Sequence, residues 1–286
     1  MERIRQALEQ ATIDRSKSGA ENRTPVPPPA GDAGVAPVAP RKSASPKLHA
    51  SEVVYTETRS VDVPRSTFEE NYLVAGLDGH ELQDTYRLLR TRITKEMRAN
   101  GWRVIAVTGA HQGAGKTTTA INLAIAMAMD VSNTVLLVDA DLRNPSIHKR
   151  FGYEPEVGLS DYLLTNGGVE VKDMLFNPPV DRMVVMPGRE EISNSGEMLG
   201  SPQAQALGAE LKDRYDDRII VLDLPPVLSS DDVIMSGDMI DCVLLVAESG
   251  QTTRKDMKEA FRLLKDIPVI GTVLNKAPKS KKKAGY

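Results

Sequence analysis

From about residue 80 onward the hydrophobic positions fall into two alternating kinds of segment. Short apolar runs rich in β-branched residues read as buried strands at 104–108, 135–138, 183–186, 218–222, 242–246 and 268–274. Between them apolar residues recur at helical spacing, notably in 120–129, 202–215 and 253–264. A further helix, 81–98, carries Leu82, Tyr86, Leu89, Ile93 and Met97 on one face. Continuously apolar strands that alternate with helices imply an α/β fold, a mainly parallel sheet covered by helices on both faces. No internal repeat breaks the pattern.

Upstream the pattern changes character. Residues 1–15 carry a short amphipathic helix pattern through Ile4, Ala7, Leu8 and Ala11, a helix that would be marginal alone. Residues 16–51 collapse into Pro, Ala, Ser, Gly and charge, and such a stretch cannot bury a core. It is expected to be a disordered, partly polyproline linker. Apolar residues return at 52–78, read as an extended arm leading into a main domain of residues 52–276. Residues 277–286 form a basic, flexible tail that ends in Tyr286.

Composition narrows the possibilities. A chain of 286 residues can bury one large α/β core or two small ones. The 36 basic and 39 acidic residues give a net charge of −3, so nucleic acid is not an expected partner. The single cysteine, Cys242, lies in an apolar run, reads as a core thiol and is compatible with a reducing compartment. No run approaches the ~18 apolar residues of a membrane span, and the first residues lack the apolar core of a signal peptide. The protein is expected to be cytoplasmic, with any membrane association made through a surface or a partner.

The chemistry concentrates after the first strand of the main domain. That strand breaks into Gly109-Ala110-His111-Gln112-Gly113-Ala114-Gly115-Lys116-Thr117-Thr118 and then opens a helix. Glycines let backbone N–H groups curl round phosphate oxygens, and the helix N-terminus adds the positive end of its dipole. Gln112 to Thr118 would hold the phosphates, with Lys116 on the β- and γ-phosphates and the Thr117 hydroxyl on Mg²⁺. Ala110 stands where the first glycine of such loops is usual.

Other strands end in acids. The second strand closes on Asp139-Ala140-Asp141-Leu142-Arg143, and the fourth on Asp223-Leu-Pro-Pro. Ligands of open α/β sheets lie at these carboxyl ends, and Mg²⁺ takes carboxylate and hydroxyl oxygens. Thr117 with Asp223, or with Asp141, meets that demand. A hydroxyl acceptor also needs a carboxylate base, for which Asp139 is the better candidate, although the residues alone do not separate it from Asp141. Arg143 either neutralises transition-state charge or pairs with Asp141. Asp231 and Asp232 read as helix N-capping residues. Asn275, at the end of the last strand, either reads an adenine edge or stabilises a turn.

On these residues the chain resembles the bacterial tyrosine kinases of capsule and exopolysaccharide assembly, of the CpsD/CapB type, over roughly residues 80–276. Gln112 to Thr117 looks like that family's Walker A motif. Val135-Leu-Leu-Val-Asp139-Ala-Asp141-Leu-Arg143-Asn-Pro145 looks like its second Walker motif, and Asp223-Leu-Pro-Pro-Val like its Walker B. Asp84-Thr-Tyr-Arg87-Leu-Leu-Arg90 is similar to its E-x-x-R-x-x-R self-association helix, with Asp in place of Glu. The resemblance implies a P-loop NTPase fold and ATP with Mg²⁺ as phosphoryl donor. It also implies tail tyrosines of a neighbouring subunit as acceptors, a homo-oligomer on activation, and a membrane-embedded polysaccharide chain-length regulator (a Wzz-like adaptor) as activating partner. In place of the family's tail cluster of tyrosines the chain has Tyr286.

The rival class is an ATPase switch of the ParA/MinD kind, which shares the sheet and the loop but carries a signature Lys early in it. Here His111 or Ala110 fills that position, and no Lys lies between Thr108 and Lys116. The basic tail has no apolar face from which a MinD-type membrane helix could be made.

Overall fold

The computed structural model describes residues 58–165, 168–213 and 218–278. The expected helix at 1–15, the linker at 16–51, the first part of the arm and Tyr286 lie outside the described residues. Eight strands form one sheet: β1 (Arg59–Ser60), β2 (Val104–Gly109), β3 (Thr134–Asp139), β4 (Phe176–Asn177), β5 (Met183–Met186), β6 (Arg218–Asp223), β7 (Cys242–Glu248) and β8 (Val269–Asn275). Their order across the sheet is β1-β4-β5-β3-β6-β2-β7-β8. All neighbours run parallel except β4 and β5. The doubly covered parallel sheet expected from the apolar runs is therefore present, with two-residue strands β1 and β4 added at one edge.

The helices among the described residues are α1 (Arg65–Glu70), α2 (Gln83–Asn100), α3 (Lys116–Ala128), α4 (Ile147–Arg150), α5 (Leu159–Leu164), α6 (Ser195–Leu199), α7 (Pro202–Asp213), α8 (Asp232–Met235) and α9 (Arg254–Leu263). Side chains alternate across each strand. Ile105, Val107, Val135, Leu137, Ile219 and Val221 enter one core, beneath α2 and α3. Val104, Ala106, Leu136, Val138, Ile220 and Leu222 enter the other, beneath α5 to α7 and α9. Strands β2, β3, β5, β6 and β7 are buried on both faces, which is why they read as unbroken apolar runs, whereas the edge strand β8 is half-buried.

The α2 helix stops at Gly101, which takes the left-handed conformation (φ +69) while Trp102 N–H donates to the Met97 carbonyl at 2.9 Å. The α3 helix is apolar almost all round because it lies between the sheet on one side and α2 with the arm on the other. Asn122 interrupts that apolar surface. Its Oδ1 accepts the Ala75 N–H at 2.8 Å, and its Nδ2 donates to the carbonyls of Tyr72 and Thr118, each at 2.8 Å. The arm was expected to be extended; instead residues 65–70 are helical and 74–76 form a 3₁₀ turn. Phe68 from α1 meets Phe151 edge-on at 6.2 Å, and Phe151 meets Phe176 at 6.0 Å. Burying that ring chain favours a compact turn over an extended strand.

Candidate active site

The phosphate loop is shaped by close backbone approaches. A Cβ on Gly109 would stand 2.6 Å from the Val246 carbonyl oxygen of β7, so only glycine fits at the end of β2. The chain then turns through Gly113 (φ +80) and Gly115 (φ +90), and α3 begins at Lys116. Ala110 is fully buried, so a methyl group is accommodated where glycine is usual. Gln112 and Gly113 form the exposed part of the loop, while Ala114 is buried and Thr117 and Thr118 are half-buried. Thr108 Oγ1 donates to the Pro225 carbonyl at 2.6 Å and so ties the start of the loop to the segment after Asp223.

Two side chains fasten the loop from outside. Asn275 Nδ2 donates to the Ala114 carbonyl at 2.9 Å, and a Cβ on Gly115 would collide with that same nitrogen. His111 Nε2 lies 3.2 Å from Asp256 Oδ2. Asp256 also closes a capping box with Thr253 at the start of α9. The Thr253 hydroxyl and N–H, and then His111, hold the Asp256 carboxyl down to about 2.

Sheet register brings the acids together. Asp139 and Asp223 stand opposite each other at the ends of β3 and β6, and both are fully buried. Asp139 Oδ2 accepts the N–H groups of Ser146 and Ile147, each at 2.8 Å, so the residue caps α4. Its Oδ1 and both oxygens of Asp223 have no hydrogen-bond partner. Burial raises Asp139 to about 7, the Asp141 charge adds to the rise, and the Ile147 and Ser146 N–H groups oppose it. Burial and the Asp139 charge push Asp223 well above the usual range against the Thr117 hydroxyl and Lys116. Asp141 is also raised by burial, with Lys116 opposing. Lys116 itself is 6% exposed.

Lys116 thus acts on two of three clustered buried carboxyl groups, Asp141 and Asp223, and an excess of buried acid of this kind favours added positive charge. The Asp223 carboxyl, on which the Thr117 hydroxyl acts, and that hydroxyl are the hard oxygen donors that Mg²⁺ takes. Among the described residues no three His, Cys, Asp or Glu side chains form a closed metal cage. Mg²⁺ sites completed by phosphate and water do not need one.

Of its two expected alternatives, Arg143 does not take the direct ion pair with Asp141. Its Nε donates to Asp232 Oδ1 at 3.0 Å and its Nη2 lies 3.6 Å from Asp231 Oδ1. Asp231 occupies the N-cap position of α8 but makes no capping bond, and Asp232 is fully buried with Oδ2 unpartnered. The N-capping expectation for this acidic pair is therefore corrected: an arginine 89 positions away competes for it. The Asp232 charge also raises Asp141, so the ion pair sits within electrostatic reach of the acids. The adjacent acids following β6 were the available signal. Cys242 is buried, with its thiol pushed up to about 12, as expected of a core thiol.

The self-association motif divides in the structure. Asp84 and Arg87 pair along α2 at 3.2 Å, whereas Arg90 Nη1 turns inward and donates to the Ala126 carbonyl of α3 at 3.2 Å. Among the described residues no helix is long and apolar enough to cross a membrane.

Residues 102–267 match the AAA domain family. The chain is 32% identical over 195 residues to the tyrosine-protein kinase YwqD of Bacillus subtilis, covering 67% of this chain and 80% of the relative. It is 29% identical over 211 residues to the putative tyrosine-protein kinase EpsB of Ralstonia solanacearum, covering 71% of this chain but 27% of that longer protein. Among solved structures, the kinase domain of the Escherichia coli tyrosine kinase ETK superposes with a TM-score of 0.66 and 27% identity, covering 75% of this chain and 84% of that one. The Pyrococcus furiosus cell-division ATPase MinD superposes with a TM-score of 0.52 and 27% identity, covering 63% and 74%. With a family match running from β2 through α9 and a kinase relative covered over four-fifths of its length, the chain belongs to the bacterial tyrosine-protein kinases, a P-loop family built on the AAA domain.

Proposed function

We propose that this kinase is an ATP-dependent tyrosine autokinase that regulates the polymerisation and export of exopolysaccharide or capsule. The observation that supports it most is the meeting of Lys116, Thr117, Asp139, Asp141 and Asp223 at the N-terminus of α3, with three buried carboxylate oxygens left without partners. In this reading the N–H groups of Gln112 to Thr118 and the Lys116 ammonium hold the triphosphate. Thr117, Asp141 and Asp223 would hold Mg²⁺, which when bound neutralises charge on the phosphoryl oxygens. The acceptor tyrosyl oxygen bonds to the γ-phosphorus, ADP departs, and the phenolic proton passes to Asp139 Oδ1. That oxygen is unpartnered and belongs to a carboxyl raised to about 7, a suitable affinity for a base working near neutrality. Arg143, anchored on Asp232, contributes positive charge beside Asp141.

The acceptor is a neighbouring copy's tyrosine, with Tyr286 as the tail candidate. Copies associate through α2, where Asp84, Arg87 and Arg90 lie. A membrane-embedded polysaccharide chain-length regulator of the Wzz-like kind activates the kinase and holds it at the inner membrane. The test is mass spectrometry of purified protein after incubation with Mg·ATP, beside the Lys116→Met variant. Phosphotyrosine present in the wild type and absent from the variant is expected. ATP hydrolysis without phosphotyrosine would instead favour a ParA/MinD-like switch. Against that rival, His111 stands where those proteins carry their signature Lys and is engaged by Asp256.

A further inference from the structure

Of the four tyrosines among the described residues, Tyr86, Tyr153 and Tyr162 are half-buried, and Tyr72 is 69% exposed. Tyr72 also has a backbone that tyrosine disfavours. It sits at φ +57 just past α1, where Leu73 N–H closes the helix onto the Phe68 carbonyl at 2.8 Å. Glycine or asparagine is usual at this left-handed position, and a bulky aromatic residue there carries a steric cost.

Packing does not offset that cost. The ring joins neither hydrophobic core and has no aromatic partner among the described residues. The main chain, by contrast, is held firmly, since Asn122 of α3 donates to the Tyr72 carbonyl and accepts from the Ala75 N–H, both at 2.8 Å. A strained, unburied residue presented on a fixed backbone points to a role for its side chain.

We propose that Tyr72 is a phosphoacceptor site, modified by the kinase centre of a second copy of this chain. The proposal rests on the kinase reading above. Position favours transfer between copies, since the Tyr72 carbonyl is bonded to Asn122, about 9 Å further along the α3 axis than Lys116, where the phosphates would lodge. The Tyr72 phenolic oxygen forms a bond to the γ-phosphorus of ATP, and the bond from that phosphorus to the bridging oxygen breaks. ADP leaves with the electron pair, and the phenolic proton passes to Asp139 of the second copy. The product places about two negative charges beside Glu69, Glu70 and the carbonyl end of α1, which loosens that turn.

The experiment is peptide-resolved mass spectrometry of full-length protein incubated with Mg·ATP, alone and mixed with isotope-labelled Lys116→Met chains. Phosphate on Tyr72 of the wild type, and on Tyr72 of the Lys116→Met chain only when wild type is present, is the expected result. Tyr72→Phe should lose that phosphopeptide and hydrolyse ATP at the unchanged rate. Phosphate on other tyrosines with Tyr72 unmodified overturns the proposal and leaves the kinase reading standing. ATP consumption with phosphotyrosine nowhere overturns both. Phosphate on Tyr72 of the wild-type chain but never of the Lys116→Met chain overturns transfer between copies.

Discussion

Asn275 donates its side-chain amide to the carbonyl of Ala114 at 2.9 Å, which fastens the end of β8 to the phosphate loop. One such bond is worth about 1 kcal/mol, so Asn275→Ala should lower stability by about that amount and weaken Mg·ATP binding several-fold. If Asn275 is a strut for the loop, ATP and GTP lose affinity equally. If it reads the base, the loss falls on ATP. Titration with both nucleotides separates the two roles, and unchanged affinity for both removes Asn275 from the site.

Gly115→Ala places its new methyl group against that same Asn275 nitrogen and also needs a backbone of φ +90. Nucleotide binding should be lost or nearly so. Adding Asn275→Ala removes the collision but keeps the backbone strain of about 1–2 kcal/mol. The double variant should therefore recover only part of the stability lost in Gly115→Ala, as read by urea unfolding. Full recovery would show that the left-handed turn carries no cost here.

The pair Arg143 and Asp232 is unequal, and its two variants should differ. Asp232 is fully buried, while the Arg143 side chain is 41% exposed. Asp232→Asn removes the buried charge and lets the arginine turn to solvent, at a cost of about 1 kcal/mol. Arg143→Gln leaves a buried carboxylate alone, and should cost about 2–3 kcal/mol at pH 8 after allowing for solvent around the arginine. Equal losses for the two variants, read by urea unfolding, would refute this asymmetry.

What the sequence reveals and what it conceals follow from the range of the interactions. Five of the six longer strands are legible because they are buried on both faces and so read as apolar, while the edge strand β8 is half-buried and is legible from its β-branched residues. The phosphate loop is legible because glycines, Lys116 and Thr117 are contiguous. Strands β1 and β4 have two residues each and exist only by pairing with neighbours distant in sequence. The expected extended arm fails for a similar reason, since Phe68 becomes helical to reach Phe151. Among site residues, Arg143 could not be assigned because its partner lies across the sheet on α8. Asn122 was visible as a lone amide in an apolar helix, but its partners Tyr72 and Ala75 belong to the arm.

The buried acids outnumber the buried His148, whose lowered pKa acts in the opposite direction, in setting the pH dependence of the metal-free protein. Asp139 is raised to about 7 by burial, whereas an unfolded Asp titrates near ~3.9. Between these values the folded state keeps a proton that the unfolded chain has released. The stability from this group is therefore full below about pH 4 and lost as pH rises through about 7. Asp223 acts in the same direction. Asp256, held down to about 2, acts oppositely and loses its contribution as pH falls from ~3.9 toward 2. In EDTA the melting temperature should fall from pH 5 to pH 8, and Mg·ATP should flatten the slope because the cation favours ionised carboxylates. A melting temperature that rises over that range in EDTA would contradict the assigned shifts.

Tyr72→Gly tests the backbone cost of the exposed tyrosine independently of any modification. The left-handed conformation at φ +57 costs tyrosine about 1–2 kcal/mol and glycine almost nothing. Glycine gives back about 0.4–1 kcal/mol through the greater freedom of its unfolded chain. The net expectation is a gain of about 0.5–1 kcal/mol, a rise of roughly 2 °C in the melting temperature of nucleotide-free protein. Tyr72→Asn should fall between the two, because asparagine tolerates this conformation better than other non-glycine residues. A lower melting temperature for Tyr72→Gly would mean that the ring contributes packing after all. A rise would show that tyrosine is held at this position against the preference of the fold.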